Sequence, residues 1–146
     1  MPPASHRTPN TPPKRPWQAR HILRTILCLI ATTAIAATPE FDPEGPFRQG
    51  EGFGTPATCA TLPGWIDRVP DYDGRISMTV TGRIVQSHWD GTLAYAIMCA
   101  PDEVQVMCVT YAPADVDGKE VMFAGGFLRA GERRIMLDPC LIYPAD

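Results

Sequence analysis

The chain has 146 residues, enough for one domain, with 45% hydrophobic residues, five cysteines and a formal net charge of −3. The charge is unevenly distributed. Residues 1–36 contain five basic residues and no acid, whereas residues 37–146 contain 16 acids against eight Lys and Arg, a formal charge of −8. This acidic body argues against nucleic acid as a ligand, because a phosphate backbone requires a positive surface.

The N-terminal stretch has the pattern of a secretory signal peptide, residues 1–36. In "RTILCLIATTAIAATPEF" an apolar run from Thr25 to about Ala37 follows the basic residues, and it is shorter than the about 20 residues that a membrane span needs. Ala34-Ile35-Ala36 fits a cleavage site of small residues. The pattern predicts a periplasmic or secreted protein. An uncleaved inner-membrane anchor at residues 25–37 is the alternative, and it would be the protein's contact with the membrane.

Four cysteines in the body predict two disulfides, because small exported domains commonly use them. The cysteines are Cys59, Cys99, Cys108 and Cys140. Their wide spacing, without a C-x-x-C pair, does not fit a zinc site, and we expect neither a metal nor a cofactor.

Three disulfide pairings are open, and hairpin geometry bears on the choice. If Pro101 and Asp102 form a tight turn, Cys99 faces Val104 and Cys108 faces Tyr95. The two hairpin cysteines are then too far out of register for a bond. This favours bridges that tie the other two cysteines to the hairpin, although a longer turn would reverse the preference.

Residues 37–74 form an acidic, Gly/Pro-rich arm with six Gly and six Pro, for which we predict irregular structure. Two interpretations are open. The later part, near Cys59 and Trp65, packs on the domain, or the arm binds a partner.

The pattern after Arg75 predicts an all-β domain, residues 75–146, with five strands. In the first strand Ile76, Met78, Val80 and Ile84 alternate with polar residues. Turns at Asp90-Gly91 and Pro101-Asp102 and a longer connection, "APADVDG", separate the next strands. The predicted strands are "RISMTVTGRIV", "LAYAIMC", "VQVMCVTY", "KEVMFAGGFLR" and "RRIMLDPCLIY".

Two glycines, Gly125 and Gly126, lie inside the fourth strand, and Gly82 lies on the core face of the first. Glycine weakens strands but permits the bends by which a sheet closes into a barrel. No helix is predicted to follow the pair, so a phosphate-binding loop is not indicated. We predict that these glycines shape a closed barrel.

The segments "SMTVTGRIV", "DGTLAYAIMC", "VQVMCVTY", "DGKEVMFAGGFL" and "RRIMLDPCLIYP" together resemble an OB-fold over residues 75–144. The resemblance implies a five-stranded OB-like barrel that binds oligonucleotide or oligosaccharide across its second and third strands. Those strands contain no Lys or Arg, which disfavours nucleic acid. The helix that often joins the third and fourth strands is missing. A β-sandwich fragment or another small barrel is also open.

The run from Asp90-Gly91-Thr92 to Asp115 is similar to the thermonuclease-like branch of OB-folds. That branch uses a D-G-D-T turn, arginines and acidic calcium ligands. Here the turn has one acid fewer, Gln105 stands where arginine is expected, and Tyr111 stands near the expected acid. The resemblance therefore implies a branch whose active site is lost, and no catalytic residue is assigned.

Other chemistry is weakly indicated. Ser87 and His88 are adjacent and would point to opposite faces of a strand. A weak calcium site at Asp115, Asp117 and Glu120 is conceivable, but solvated loop carboxylates are the simpler interpretation.

The aromatic residue Trp89 either covers the end of the barrel or contacts a ligand. The predicted binding surface consists of His88, Trp89, Tyr95 and Tyr111. The sequence thus predicts an exported, disulfide-stabilised, non-enzymatic domain that binds a protein partner or an envelope component. A nuclease or nucleic-acid-binding protein is the alternative.

Overall fold

The computed structural model describes residues 40–145. The predicted signal peptide, its cleavage site, and the alternative membrane anchor at residues 25–37 lie outside the described residues. Within residues 40–145, no helix combines the length and the apolar character that a membrane span requires.

Seven strands and one short helix make up the described chain. In chain order they are β1 (Phe47–Gln49), β2 (Ala57–Thr58), α1 (Leu62–Ile66), β3 (Ile76–Trp89), β4 (Ala94–Met98), β5 (Gln105–Thr110), β6 (Glu120–Gly131) and β7 (Arg134–Pro144). The five long or central strands, β3 to β7, correspond to the five strands predicted from the sequence.

The five strands β3 to β7 close into a barrel in the order β3-β4-β5-β7-β6, because β3 pairs with β4 along one edge and with β6 along the other. The β5–β7 pairing is parallel, whereas the other pairings in the ring are antiparallel. The prediction of an all-β, five-stranded closed barrel is confirmed. The arrangement is consistent with an OB-like small barrel.

The barrel core contains the alternating apolar residues of each strand. Met78 and Val80 of β3, Met98 of β4, Phe123 of β6 and Leu137 of β7 are fully buried. Burying side chains of this size stabilises a fold by roughly 1.5–3 kcal/mol each. The period-two pattern of the sequence therefore located the core correctly.

Strand β3 extends four residues past its predicted end at Val85 and contains a bulge. Ile84 pairs with Met98 and Gln86 with Ile97, so Val85 has no partner on β4. The extra residue shifts the alternation. Trp89, which pairs with Ala94, therefore lies on the inner face, and His88 lies on the outer face.

The glycine pair in β6 lies beside a second bulge. Gly125 pairs with Cys140 and Phe127 with Leu137, so two residues of β7, Asp138 and Pro139, stand opposite Gly126. A Cβ on Gly125 would lie 2.3 Å from the carbonyl oxygen of Pro139, which is too close for any larger residue. The pair shapes the sheet, as predicted.

The prediction for Gly82 requires a different explanation. The β3–β6 ladder runs without interruption through this residue. A Cβ there would lie 2.8 Å from Cys59 Sγ and 3.0 Å from Met98. Glycine at this position leaves room for a disulfide.

Two disulfides join Cys59 to Cys99 and Cys108 to Cys140, with Cα–Cα distances of 5.6 and 5.3 Å. Each ties one hairpin cysteine to a cysteine outside the hairpin, which is the kind of pairing that the sequence favoured.

The predicted hairpin register is wrong by one residue. Cys108 faces Ala96 and Val109 faces Tyr95. The reason is a longer turn: strand pairing stops at Met98, and Cys99 has a left-handed φ of 75°.

The segment predicted to be irregular contains three short elements, β1, β2 and α1. β1 and β2 pair with β3 beside the ladder of β4. Phe47 is 3% exposed, with its ring 5.3 Å from that of Phe127. Glycine and proline bound these elements, which explains why a pattern search over the sequence missed them. The later part also packs on the barrel, since Leu62 and Ile66 are buried and Cys59 is bonded to Cys99.

Candidate functional site

Strand β7 parts from β5 halfway along its length. The parallel pairing of the two strands ends at Cys108 and Leu137, and the bulge at Asp138 and Pro139 follows at once. From there to Pro144, the described pairings of β7 are with β6 alone. Cys140, bonded to Cys108, holds the two strands together at the point where they part.

A concavity of about 250 Å³ lies on the outer face beside this divergence. Three of the residues that line it are large, apolar and solvent-exposed: Phe53 is 57% exposed, Tyr111 75% and Leu141 54%. The Phe53 ring packs edge-on against Tyr143, with centroids 5.5 Å apart. Exposed aromatic residues that cluster in this way are typical of interaction sites.

A second concavity, of about 510 Å³, adjoins the first at Leu141. Its lining includes three apolar residues on the inner face of the barrel strands, Ile84, Val121 and Ile142. The loop between β5 and β6, residues 111–119, contains no helix and borders this concavity. The two concavities together are called the edge groove below.

The loop side of the edge groove is acidic. Asp115, Asp117 and Glu120 line it together with Lys119, whose Nζ lies 2.8 Å from Asp117 Oδ2. The hydrogen bond from Lys119 lowers the pKa of Asp117 and raises the pKa of Lys119. Because Lys119 is paired with Asp117, two carboxylates remain uncompensated among these four groups. The residues considered for calcium are thus partly engaged in an ion pair.

Three of the four residues of the predicted binding surface lie where β3 ends and β4 begins. They are on two different faces of the sheet. His88 pairs with Tyr95 on the outer face, where their rings stack with centroids 6.4 Å apart. Trp89 lies on the inner face at the end of β3 and is 41% exposed. Whether this surface binds a ligand stays a prediction.

Asp90 organises the turn beside these aromatic residues. Its Oδ1 accepts hydrogen bonds from the backbone N–H groups of Leu93 and Thr92, both at 2.8 Å, and Tyr95 donates its O–H to Oδ2 at 3.2 Å. These bonds, that from Leu93 first, lower the pKa of Asp90. The bond to Asp90 raises the pKa of Tyr95. The acid nearest to His88 in the sequence therefore has a structural role in the turn.

Tyr111, the fourth predicted residue, belongs to the edge groove. Sequence reasoning missed its neighbours Phe53 and Leu141. A signal was present: "CLIYP" places apolar residues on both faces of a strand, whereas a solvated outer face would alternate with polar residues. Nothing in the local pattern of the arm indicated that Phe53 would reach this face.

The Cys59–Cys99 disulfide lies near an acid. Glu103 has a carboxylate oxygen within 4.8 Å of both sulfurs, and it accepts the backbone N–H of Ala100 at 2.8 Å. Since the two sulfurs are bonded to each other, they are not thiolate ligands in this structure. We interpret Glu103 as a residue that orders the β4–β5 turn.

No protein-family model matches the chain, and a search of curated proteins gives no match either. The residues of the edge groove are therefore the basis for assigning a function.

Proposed function

We propose that the protein is an exported, non-enzymatic binding domain whose edge groove recognises a protein partner or another component of the cell envelope. The observation that carries the proposal is the exposure of Phe53, Tyr111 and Leu141 around one concavity. A single exposed apolar residue needs no explanation, but a group of three that includes two aromatic rings is costly to leave in water.

The two bridges support the proposed location. Two disulfides in a small domain favour an oxidising, extracytoplasmic compartment. Together with the signal-peptide pattern in the sequence, they support a periplasmic or secreted protein. The acidic body supports a ligand other than nucleic acid.

Site-specific photocrosslinking in the native host tests the binding site. A benzoylphenylalanine would replace Tyr111 in the edge groove, Tyr95 on the outer face of β4, or Leu128, an exposed residue of β6 that lines neither concavity. We expect a discrete adduct from position 111 and none from position 128. Leu141→Ser should abolish that adduct.

Two results would contradict the proposal. Adducts from position 95 but not 111 would move the site to the predicted surface around His88 and Tyr95. No adduct from any position would leave the groove without a partner. Intact mass with and without reduction tests export separately: we expect a chain that begins near residue 37, with no thiol reacting before reduction.

A further inference from the structure

The edge groove contains an unpaired strand edge as well as apolar side chains. Up to Leu137, one edge of β7 pairs with β5. Beyond Leu137, this edge has no strand partner in the described part of the chain. Along Leu141–Tyr143, backbone N–H and C=O groups alternate between the two edges of the strand, so some of them point away from β6. Such an edge is a template for an added strand.

The surroundings of this edge suit alternating side chains. The concavity of about 250 Å³ on the outer face, called the outer concavity, is lined by Phe53, Tyr111 and Leu141. The concavity of about 510 Å³ is lined by Ile84, Val121 and Ile142. Successive side chains of a strand point to opposite faces. A strand laid beside β7 would therefore place every second side chain in the outer concavity.

The charges that border the edge groove indicate which peptide would bind there. Asp115 and Glu120 border the groove and, among the described residues, make no ion pair. These carboxylates attract Lys or Arg at an end of the incoming segment and repel another acid. They also oppose a second copy of this chain, whose own edge would bring the same carboxylates.

We propose, building on the proposed function, that the edge groove binds an extended peptide segment of a partner protein by strand addition to residues 141–144 of β7. The segment has an apolar residue at every second position and a Lys or Arg at the end that lies against Asp115 and Glu120.

The test uses the mature, disulfide-bonded protein and a blocked peptide that alternates valine and threonine between two terminal lysines. Amide hydrogen exchange measured by NMR should slow at those N–H groups of residues 141–143 that point away from β6 when the peptide is added. Replacing the central valine by proline removes a donor and blocks the ladder, so binding should weaken about tenfold. Replacing the lysines by glutamate should weaken it to a similar degree at low salt.

Matched variants locate the site. Leu141→Ser should weaken binding of the lysine peptide, whereas Leu128→Ser, which truncates a comparably exposed leucine of β6 outside the groove, should not. Equal binding of the proline peptide would overturn strand addition, and equal binding of the glutamate peptide would overturn the charge selection. A concentration-dependent dimer that the lysine peptide dissociates would identify a second copy as the occupant and would also overturn the proposal.

The two proposals fail separately. If the lysine peptide does not bind but the crosslink from position 111 persists, strand addition is wrong and the edge groove still has a partner. If both are negative, the proposed function itself is wrong.

Discussion

The two halves of β7 belong to one strand but have different surroundings. Residues 134–137 lie between β5 and β6, and Ile135 and Leu137 are buried. Within the described part of the chain, residues 141–144 pair with β6 alone, and Leu141 is 54% exposed. Apolar residues occur in both halves, so composition does not explain the difference. The two halves differ because the pairing of β7 with β5 ends where the bulge begins.

The edge of β3 that pairs with β4 also has partners along its remaining length. Where β4 does not reach, β1 and β2 pair with it, so the N-terminal segment supplies the missing strands. Proteins commonly cover exposed edges in this way. Among residues 40–145, the edge of β3 is covered and the end of β7 is not. This contrast supports a partner for β7, and the predictions below test it.

The largest effect is expected from removing the bridge at the divergence. Cys108→Ala with Cys140→Ala opens a loop with a sequence separation of 32 residues, and the chain-entropy model gives a loss of about 4 kcal/mol in the free energy of unfolding. Amide exchange at residues 141–143 should also accelerate, because Cys140 ties this half of β7 to β5. Urea unfolding and hydrogen exchange measure the two effects.

The control is the other bridge. Cys59→Ala with Cys99→Ala opens a separation of 40 residues and should lower the free energy of unfolding by a similar amount, about 4 kcal/mol. Its local effect should fall on residues 57–66, which would become accessible to proteases. If both double variants loosened the same region, the division between a covered and an open edge would be wrong.

Two phenylalanines of the N-terminal segment give the next contrast. Phe47 is buried against Phe127, whereas Phe53 is 57% exposed in the edge groove. Phe47→Ala should lower the free energy of unfolding by about 3–4 kcal/mol, as for other core aromatics. Phe53→Ala should cost only about 0.5–1.5 kcal/mol, the value of an aromatic pair, but should abolish binding at the groove. Similar losses from both variants would mean that Phe53 is a core residue.

Glycine substitutions test the bulge that separates the two halves. Gly125→Ala puts a methyl group 2.3 Å from the Pro139 carbonyl oxygen, so the strands must move, at a cost of about 1–3 kcal/mol. Gly64→Ala in α1 meets no atom within 4 Å and should stabilise the protein by about 0.5–1 kcal/mol. Thermal unfolding of both variants measures the difference. An unchanged stability for Gly125→Ala would show that β6 and β7 are not in close contact there.

Much of the barrel could be predicted from the sequence because period-two alternation and turn residues are local signals. They located the five strands, the core face and the glycine pair. The disulfide pairing could be narrowed because the hairpin geometry disfavoured a bond between Cys99 and Cys108. The one-residue error in the register arose at Cys99, where a left-handed residue lengthens the turn. Glycine or asparagine would have indicated a left-handed conformation, but cysteine does not.

The candidate site could be predicted only in part, because it is assembled from distant segments. Tyr111 was predicted as part of a binding surface with His88, Trp89 and Tyr95. Its neighbours Phe53 and Leu141 come from the arm and from β7, and their proximity depends on the bulges and on the order of the strands. Trp89 illustrates the same limit: the bulge at Val85 reverses its face, so simple alternation would have misplaced it.

The smallest effect is expected at Asp90, in the closed part of the barrel. Because its pKa is lowered in the folded state, the carboxylate stabilises the turn above its ordinary pKa of 3.8, and this stability is lost as the pH falls through the lowered value. An NMR titration should therefore place the midpoint of Asp90 below 3.8. Tyr95→Phe, which removes one donor, should move the midpoint upward.

Asp90→Asn tests the same turn by stability. The variant keeps an oxygen acceptor for the N–H groups of Thr92 and Leu93 but loses the charge. Its deficit relative to the parent protein should be small at neutral pH and should vanish in acid, where the parent carboxyl is protonated. Since Asp90 lines neither concavity of the edge groove, binding of the lysine peptide should not change. A loss of peptide binding in this variant would extend the functional surface to the predicted aromatic residues His88 and Tyr95. Binding would then not be confined to the unpaired edge of β7, and the contrast between the two regions would be wrong.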